Sequence, residues 1–353
     1  MSPFRRRRTT VITRPMARRR RRRRALLALG VTTALVAGAS YGTWRYIEEN
    51  EFLLDQRCAV RVGDTDHELS PTQTRNAALL AVTAVNLGLP PEAAVDALAM
   101  SLQETELNVR DSGDERGSEA LFARGAPDWT AEDGARPVEI TVDGFFEVME
   151  ESWREGLDAE EEDEEAELFW APDLELDDAA EALDRPHNPQ FYPQHGSAAR
   201  AFALPLAGQT QGPDMTCHLS QLEVPGPDPE GVTEDLVTLM PTVLEIPFTE
   251  QEEDEDDDDF EAEPILDGII ETSGEEESAL VSVQMPEKSD SEVNHQWLTA
   301  HWAVASAEDY GIQTVTSAPY RWDRDSARWQ RLADDEADSV PSDIVQIGFS
   351  RDH

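Results

Sequence analysis

Ala93–Trp129 reads AAVDALAMSLQETELNVRDSGDERGSEALFARGAPDW, and its first part decides the helical half of the fold. Ala94, Val95, Leu98, Ala99 and Leu102 recur at steps of three and four, which places them on one face of a helix. That helix delivers Gln103-Glu104-Thr105 at its end, and Asp111–Gly117 behind it is a turn-rich connector. A carboxyl at the end of a buried helix sits half out of water, an environment that disfavours its charged form and suits a general acid. The plainer alternative is that Glu104 caps the helix end or pairs with Arg110 or Arg116.

Working outward, Ser70-Pro71-Thr72-Gln73 predicts a capped helix start, with Ala77, Leu80, Ala81, Ala84 and Val85 as its buried face and Gly88 as its stop. Pro90-Pro91 restarts the helix that ends at Glu104. Val142–Trp153, Asp177–Leu183 and Ser197–Leu204 continue the helical periodicity. Between them, Asp158–Glu167 is an acidic run read as a solvated insertion. The expected fold is therefore mainly α over residues 55–218. Residues 219–263 change character, with Pro225, Pro227, Pro229 and Pro241 followed by the nearly all-acidic Glu250–Asp259, and read as a disordered linker. Pattern returns at 264–353 as a small α+β domain: a strand at Ala279–Gln284, a helix at Trp297–Tyr310 stopped by Gly311, a hairpin from Ile312–Val315 to Tyr320–Trp322, and a closing strand at Ile344–Phe349.

The other direction leads to the N-terminus. Residues 1–24 form a polybasic tail with 12 arginines and no acid, so the remainder sets 17 basic against 74 acidic residues. Such an acidic body will not bind nucleic acid. Residues 25–46 carry an uncharged, mostly apolar run followed by Trp44 and Tyr46, long enough to span a bilayer. The arginine block holds the N-terminus in the cytoplasm, which predicts a single-pass membrane protein whose bulk is extracytoplasmic. A cleaved signal peptide at Ala37-Gly38-Ala39 is the competing reading, and Glu48–Asp66 reads as an extended tether. Cys58 and Cys217 are the two cysteines; their separation excludes a close-spaced zinc site, and in an oxidising compartment they close one disulfide.

Taken together, Ala99-Met100-Ser101-Leu102-Gln103-Glu104, Gly113-Asp114, Ala120-Leu121-Phe122-Ala123, Trp129, Ala179–Arg185, Pro189 and Tyr192-Pro193-Gln194-His195 resemble an actinobacterial family of membrane-anchored, lysozyme-like (transglycosylase-related) proteins. Some members are labelled heavy-metal transporters, a label that a single span does not support. The stretch from Trp302 to Trp329 resembles an α+β domain that follows peptidoglycan-hydrolase modules. The resemblance implies Glu104 as a catalytic general acid, with Gln103, Phe122, Trp129 and Tyr192 at the substrate; Phe122 and Trp129 read equally as core aromatics. This chain departs from the family pattern at Ala120 and Ala123, where a glycine and a glutamine are expected. The lost glutamine removes a positioning group.

The expectation is thus a degenerate lysozyme-like protein that binds or scaffolds at the cell envelope, through peptidoglycan or an envelope protein. The alternatives are an active peptidoglycan lytic enzyme using Glu104 and a purely structural interaction module. No cofactor is expected. No metal is either: His295 and His301 fall on different helix faces, and His187 and His195 have no cysteine or acid fixed beside them.

Overall fold

A computed structural model describes residues 56–111, 119–123, 138–162, 168–221, 224–249, 262–275, 278–286 and 293–351. The first described element corrects the tether: β1 (Arg57–Val62) and β2 (Thr65–Leu69) form an antiparallel hairpin closed by Gly63-Asp64, with Gly63 at φ +61°. A two-residue turn of this kind needs the left-handed φ that glycine adopts without steric cost.

The capping box forms as read. Ser70 Oγ accepts from the Gln73 N–H at 3.2 Å, and the Ser70 N–H donates to Gln73 Oε1 at 2.9 Å. Two otherwise orphaned amides are satisfied, and α1 (Pro71–Asn86) begins. Gly88, φ +74°, turns the chain out of it, and Pro91 opens α2 (Pro91–Thr105) at the first helical position. Ala77, Ala81, Ala94 and Ala97 are fully buried, so small side chains let the two helices pack closely. A short ladder, β3 (Arg110–Asp111) with β4 (Glu119–Ala120), follows. Next come α3 (Val138–Glu162), α4 (Leu176–Ala182) and α5 (Gly196–Leu206). The first part of the acidic run, Asp158–Glu162, continues α3 as helix; the rest lies outside the described residues.

Strand β5 (Met215–His218) returns beside β1, giving a three-stranded sheet in the order β2-β1-β5 with Cys58 directly opposite Cys217. The two cysteines form a disulfide. Among residues read as linker, 224–249 are folded. Asp228 Oδ1 accepts the Gly231 N–H at 2.9 Å to start α6 (Pro229–Leu239), and Val232, Leu236 and Met240, spaced by four, are buried. Its acidic residues hid an amphipathic helix. Residues 250–261 lie outside the described set, but their flanks meet: Thr249 donates to the Glu263 carbonyl at 2.9 Å and Ile265 to that of Pro247 at 2.8 Å.

The remaining strands are β6 (Ile270–Ser273), β7 (Leu280–Gln284), β8 (Thr314–Ser317), β9 (Tyr320–Asp323), β10 (Arg328–Arg331) and β11 (Ile344–Gly348). They build a six-stranded antiparallel sheet in the order β10-β9-β8-β11-β7-β6, with β8 and β9 as the expected hairpin and β11 inserted between β7 and β8. The mainly α expectation is therefore corrected: this is an α+β fold with two multistranded antiparallel sheets.

Helix α7 (His295–Ala305) explains why the chain does not divide at the supposed linker. Trp297, Leu298, Ala300, His301, Trp302 and Val304 cover its circumference, and all are buried. It packs on α1 and α5 on one side and on β5, β8 and β11 on the other. A helix apolar all round belongs inside a domain. The helical layer and the large sheet share its core, so Asp55–His353 forms one compact unit rather than separate domains at 55–218 and 264–353. The short helix α8 (Ala307–Tyr310) ends at Gly311, φ +69°, as read from the sequence. A last short helix, α9 (Asp334–Ala337), precedes β11.

Among the described residues no helix is long and apolar enough to cross a membrane; the predicted span and polybasic tail lie outside them.

Candidate functional site

The end of α2 is aimed by two left-handed residues, Glu106 at φ 58° and Leu107 at φ 54°. Each carries a Cβ and costs about 1–2 kcal/mol in that region, so something must hold them. Helix α1 does: Gln73 Nε2 donates to the Glu106 carbonyl at 2.8 Å, and Asn76 Nδ2 to that of Leu107 at 2.8 Å. The Leu107 side chain is fully buried. On the opposite side, Ser101 Oγ and Thr105 Oγ1 both donate to the Leu121 carbonyl, at 2.8 and 2.6 Å. That clamp brings segment 119–123 over Glu104.

Four donors then meet on the Glu104 carboxylate. Arg185 binds it bidentately, Nε to Oε1 at 2.8 Å and Nη2 to Oε2 at 2.6 Å. The Tyr192 hydroxyl donates to Oε1 at 3.1 Å, and the Ala123 N–H to Oε2 at 2.8 Å. Each oxygen thus accepts twice. The Glu104 side chain is 0% exposed and that of Arg185 1%. Arg185 is also seated over the stacked rings of Phe122 and Phe145, whose centroids lie 3.9 Å apart, at 5.5 and 5.4 Å from each. A planar fork with two parallel N–H groups is the geometry that matches a carboxylate, and aromatic faces suit its cation. The arrangement is a closed ion pair. It offers no carboxyl oxygen to a cleft, and the partner is Arg185, not Arg110, which is exposed, or Arg116, which lies outside the described residues.

The other residues read from the sequence divide around this pair. Tyr192 is fully buried; burial first, and then the Glu104 charge, push its hydroxyl well above the usual phenol range, so it stays a donor. Phe122 is core, 2% exposed, rather than a platform for a ligand. Trp129 lies outside the described residues. Gln103, next to Glu104, faces outward and gathers both histidines of the proline-rich loop. Its Oε1 accepts from Gln194 Nε2 at 2.8 Å and lies 3.1 Å from His195 Nε2, while its Nε2 lies 3.4 Å from His187 Nδ1. Burial lowers the pKa of His195 from its ordinary value. Phe191, in the adjoining turn, is 55% exposed.

Sequence reasoning passed over Asp96, on the same helix two turns earlier. The residue is 7% exposed, and among the described residues its carboxyl accepts a single hydrogen bond, from the Trp170 indole N–H at 3.0 Å. Burial pushes it up to about 6, against the Trp170 hydrogen bond and Arg200, with Glu92 adding to the rise. The signal was present: Ala93, Ala99 and Met100, three and four residues away, are all apolar, so Asp96 stands on a buried face.

His301 is also buried, far from the Glu104 cluster in sequence. Its Nδ1 lies 3.0 Å from the Pro205 carbonyl, its Nε2 has no hydrogen-bond partner among the described residues, and burial pulls its pKa down to about 4. Among the described residues no three histidine, cysteine or acidic side chains come together in a way that would hold a metal ion. Comparison of the chain with protein-family models, with curated proteins and with solved structures gave no match.

Proposed function

We propose that this protein is a membrane-tethered, extracytoplasmic module that binds or scaffolds at the cell envelope and does not cleave glycan. The observation that carries the reading is the saturation of Glu104. A general acid must present its proton to a leaving oxygen within hydrogen-bond reach; here both carboxyl oxygens are occupied by donors and the side chain is out of solvent. Glu104 keeps the position of a catalytic carboxyl and serves as the anchor of the fold around it.

The binding face is the one next to it. Gln103, Gln194, His187 and His195 supply amides and imidazoles at the surface, and Phe191 an exposed ring beside them. Amide and imidazole groups recognise hydroxyl and acetamido groups, and an aromatic face stacks on a sugar ring, so peptidoglycan is the ligand of choice for this surface. Export is supported by the single disulfide, which pairs the chain's two cysteines and requires an oxidising compartment, and by the arginine block ahead of an apolar stretch.

The test incubates the detergent-solubilised full chain with purified peptidoglycan and measures both soluble fragment release and co-sedimentation. The expected result is co-sedimentation that weakens in Phe191→Ala and no release above buffer. Fragment release that disappears in Glu104→Gln would overturn the reading and make the chain a lytic enzyme.

A further inference from the structure

The loop Val224–Pro227 and residues Phe349–Arg351 line a half-open pocket of about 680 Å³. Its apolar wall is Val224, Pro225, Pro227 and Phe349; its polar side is Gln221, Gln313 and Arg351. The wall is held rigidly, because Gly311, φ +69°, lets the Pro225 and Gly226 carbonyls approach so closely that a Cβ would stand 2.6 and 2.7 Å from them. The pocket is built at a glycine no other residue replaces without moving the loop.

Arg351 stands apart from the arginines that sit in ion pairs. Arg57, Arg61, Arg75, Arg154 and Arg185 each pair with an acid. Arg351 has no carboxylate partner among the described residues, although the chain carries a formal charge of −45. Its Nε donates to Gln313 Oε1 at 3.2 Å and its Nη2 to the Gln221 carbonyl at 3.3 Å. Gln313 is itself fixed by donating to the Gly311 carbonyl at 2.9 Å. These contacts tie down one edge of the guanidinium, Nε with Nη2. The end-on edge, Nη1 with the second Nη2 proton, has no protein partner among the described residues. A second guanidinium stands behind the wall: Arg324, 1% exposed, donates to the carbonyls of Ser220, Ala307 and Ile312 and to no carboxylate among the described residues. Ser220 and Ile312 are chain neighbours of the lining residues.

The geometry points to a binding site for a free carboxylate carrying an apolar group beside it, the chemistry of a peptide C-terminus: the end-on edge of Arg351 takes the carboxylate bidentately, and the Val224–Pro227 and Phe349 wall takes the neighbouring side chain. The body's negative field selects a singly charged ligand over phosphate, because long-range repulsion grows with ligand charge. A bidentate guanidinium–carboxylate pair supplies direction as well as attraction.

The probe is N-acetyl-alanyl-alanine, titrated into the detergent-solubilised full chain and followed by saturation-transfer NMR. One exposed charge pair with a small apolar contact predicts a Kd on the order of 1 mM. The C-terminal carboxamide of the same dipeptide is expected to bind at least about tenfold more weakly, as is the acid to Arg351→Gln; Arg351→Lys, which keeps the charge and loses the fork, falls between. Arg351 is exposed, and an unchanged thermal midpoint establishes that the variants remain folded. Equal binding of acid and carboxamide, unchanged binding to folded Arg351→Gln, displacement of the dipeptide by inorganic phosphate at equal concentration, or no saturable binding to the wild-type chain would each overturn the assignment.

Discussion

Helix α2 buries two carboxyls, Asp96 and Glu104, about 12 Å apart along its axis by helical rise, and solves the same problem in two ways. Glu104 receives four donors, two from a guanidinium that is itself buried and lies near two aromatic rings. Asp96 receives one, from an indole. Counted as whole residues both are 7% exposed, so burial of the residue alone does not separate them. What separates them is the count of compensating donors: Glu104 has four, two of them from a guanidinium, while Asp96 has one among the described residues, and burial pushes its carboxyl up to about 6. The carboxyl that the resemblance marks as a general acid is the one held in the ion pair, and the carboxyl whose pKa burial raises stands two turns away.

The largest effect is expected from breaking the locked side. Arg185→Met leaves the Glu104 carboxylate buried without its cation, a change that costs about 3–5 kcal/mol and is read by urea unfolding at neutral pH. The opposite sign is expected at the other carboxyl. The pKa of Asp96 is raised by folding, so its contribution to stability is fully present below about pH 3.8 and is lost as pH rises through about 6. Asp96→Asn keeps an acceptor for Trp170 and removes that loss, stabilising the protein by about 2–3 kcal/mol at pH 8 and by almost nothing at pH 4. His301 runs the other way over the same range: its pKa is lowered to about 4 from 6.5, so its contribution is complete above 6.5 and falls away as pH drops through 4. The acid-side loss of stability is therefore steeper in Asp96→Asn than in the wild-type chain, where the two groups partly offset each other. Smaller again is Tyr192→Phe, which removes one of four donors from Glu104 and costs about 1–2 kcal/mol. Gln73→Ala removes half the capping box and one support of the left-handed turn after Glu104, costing about 1 kcal/mol. Both are measured by thermal or urea denaturation.

Local chemistry made much of this legible from the chain alone. Ser70 with Gln73, Pro91, Gly88 and Gly311 punctuate helices through contacts within a few residues, and each stands where it was read. The hairpin from β8 to β9 is of the same kind. What stayed hidden is non-local. Arg185 reaches Glu104 across 81 positions, and the nearer Arg110 and Arg116 were the natural candidates by sequence. The six-stranded sheet is built from strands of four or five residues, and β11 enters its middle from the end of the chain. Segments that short carry little alternation, so helical periodicity dominated and the mainly α reading followed. Charge misled twice more. The acids around Val232, Leu236 and Met240 concealed a helix, and the acidic run itself proved to be flanked by paired chain rather than to separate two domains. Around the site, Gln103 holds the histidines of the proline-rich loop, Tyr192 serves the buried Glu104 carboxylate, and Phe122 lies near Arg185 in the core.

The central claim is that Glu104 and Arg185 act as one buried pair. Its most direct test is a double-mutant cycle by urea unfolding at pH 7 with Glu104→Gln, Arg185→Met and the double variant. The account predicts that the single losses do not add, with a coupling energy of about 2–3 kcal/mol because the double variant leaves no unpaired charge. Additive losses, with a coupling under about 0.5 kcal/mol, would contradict it.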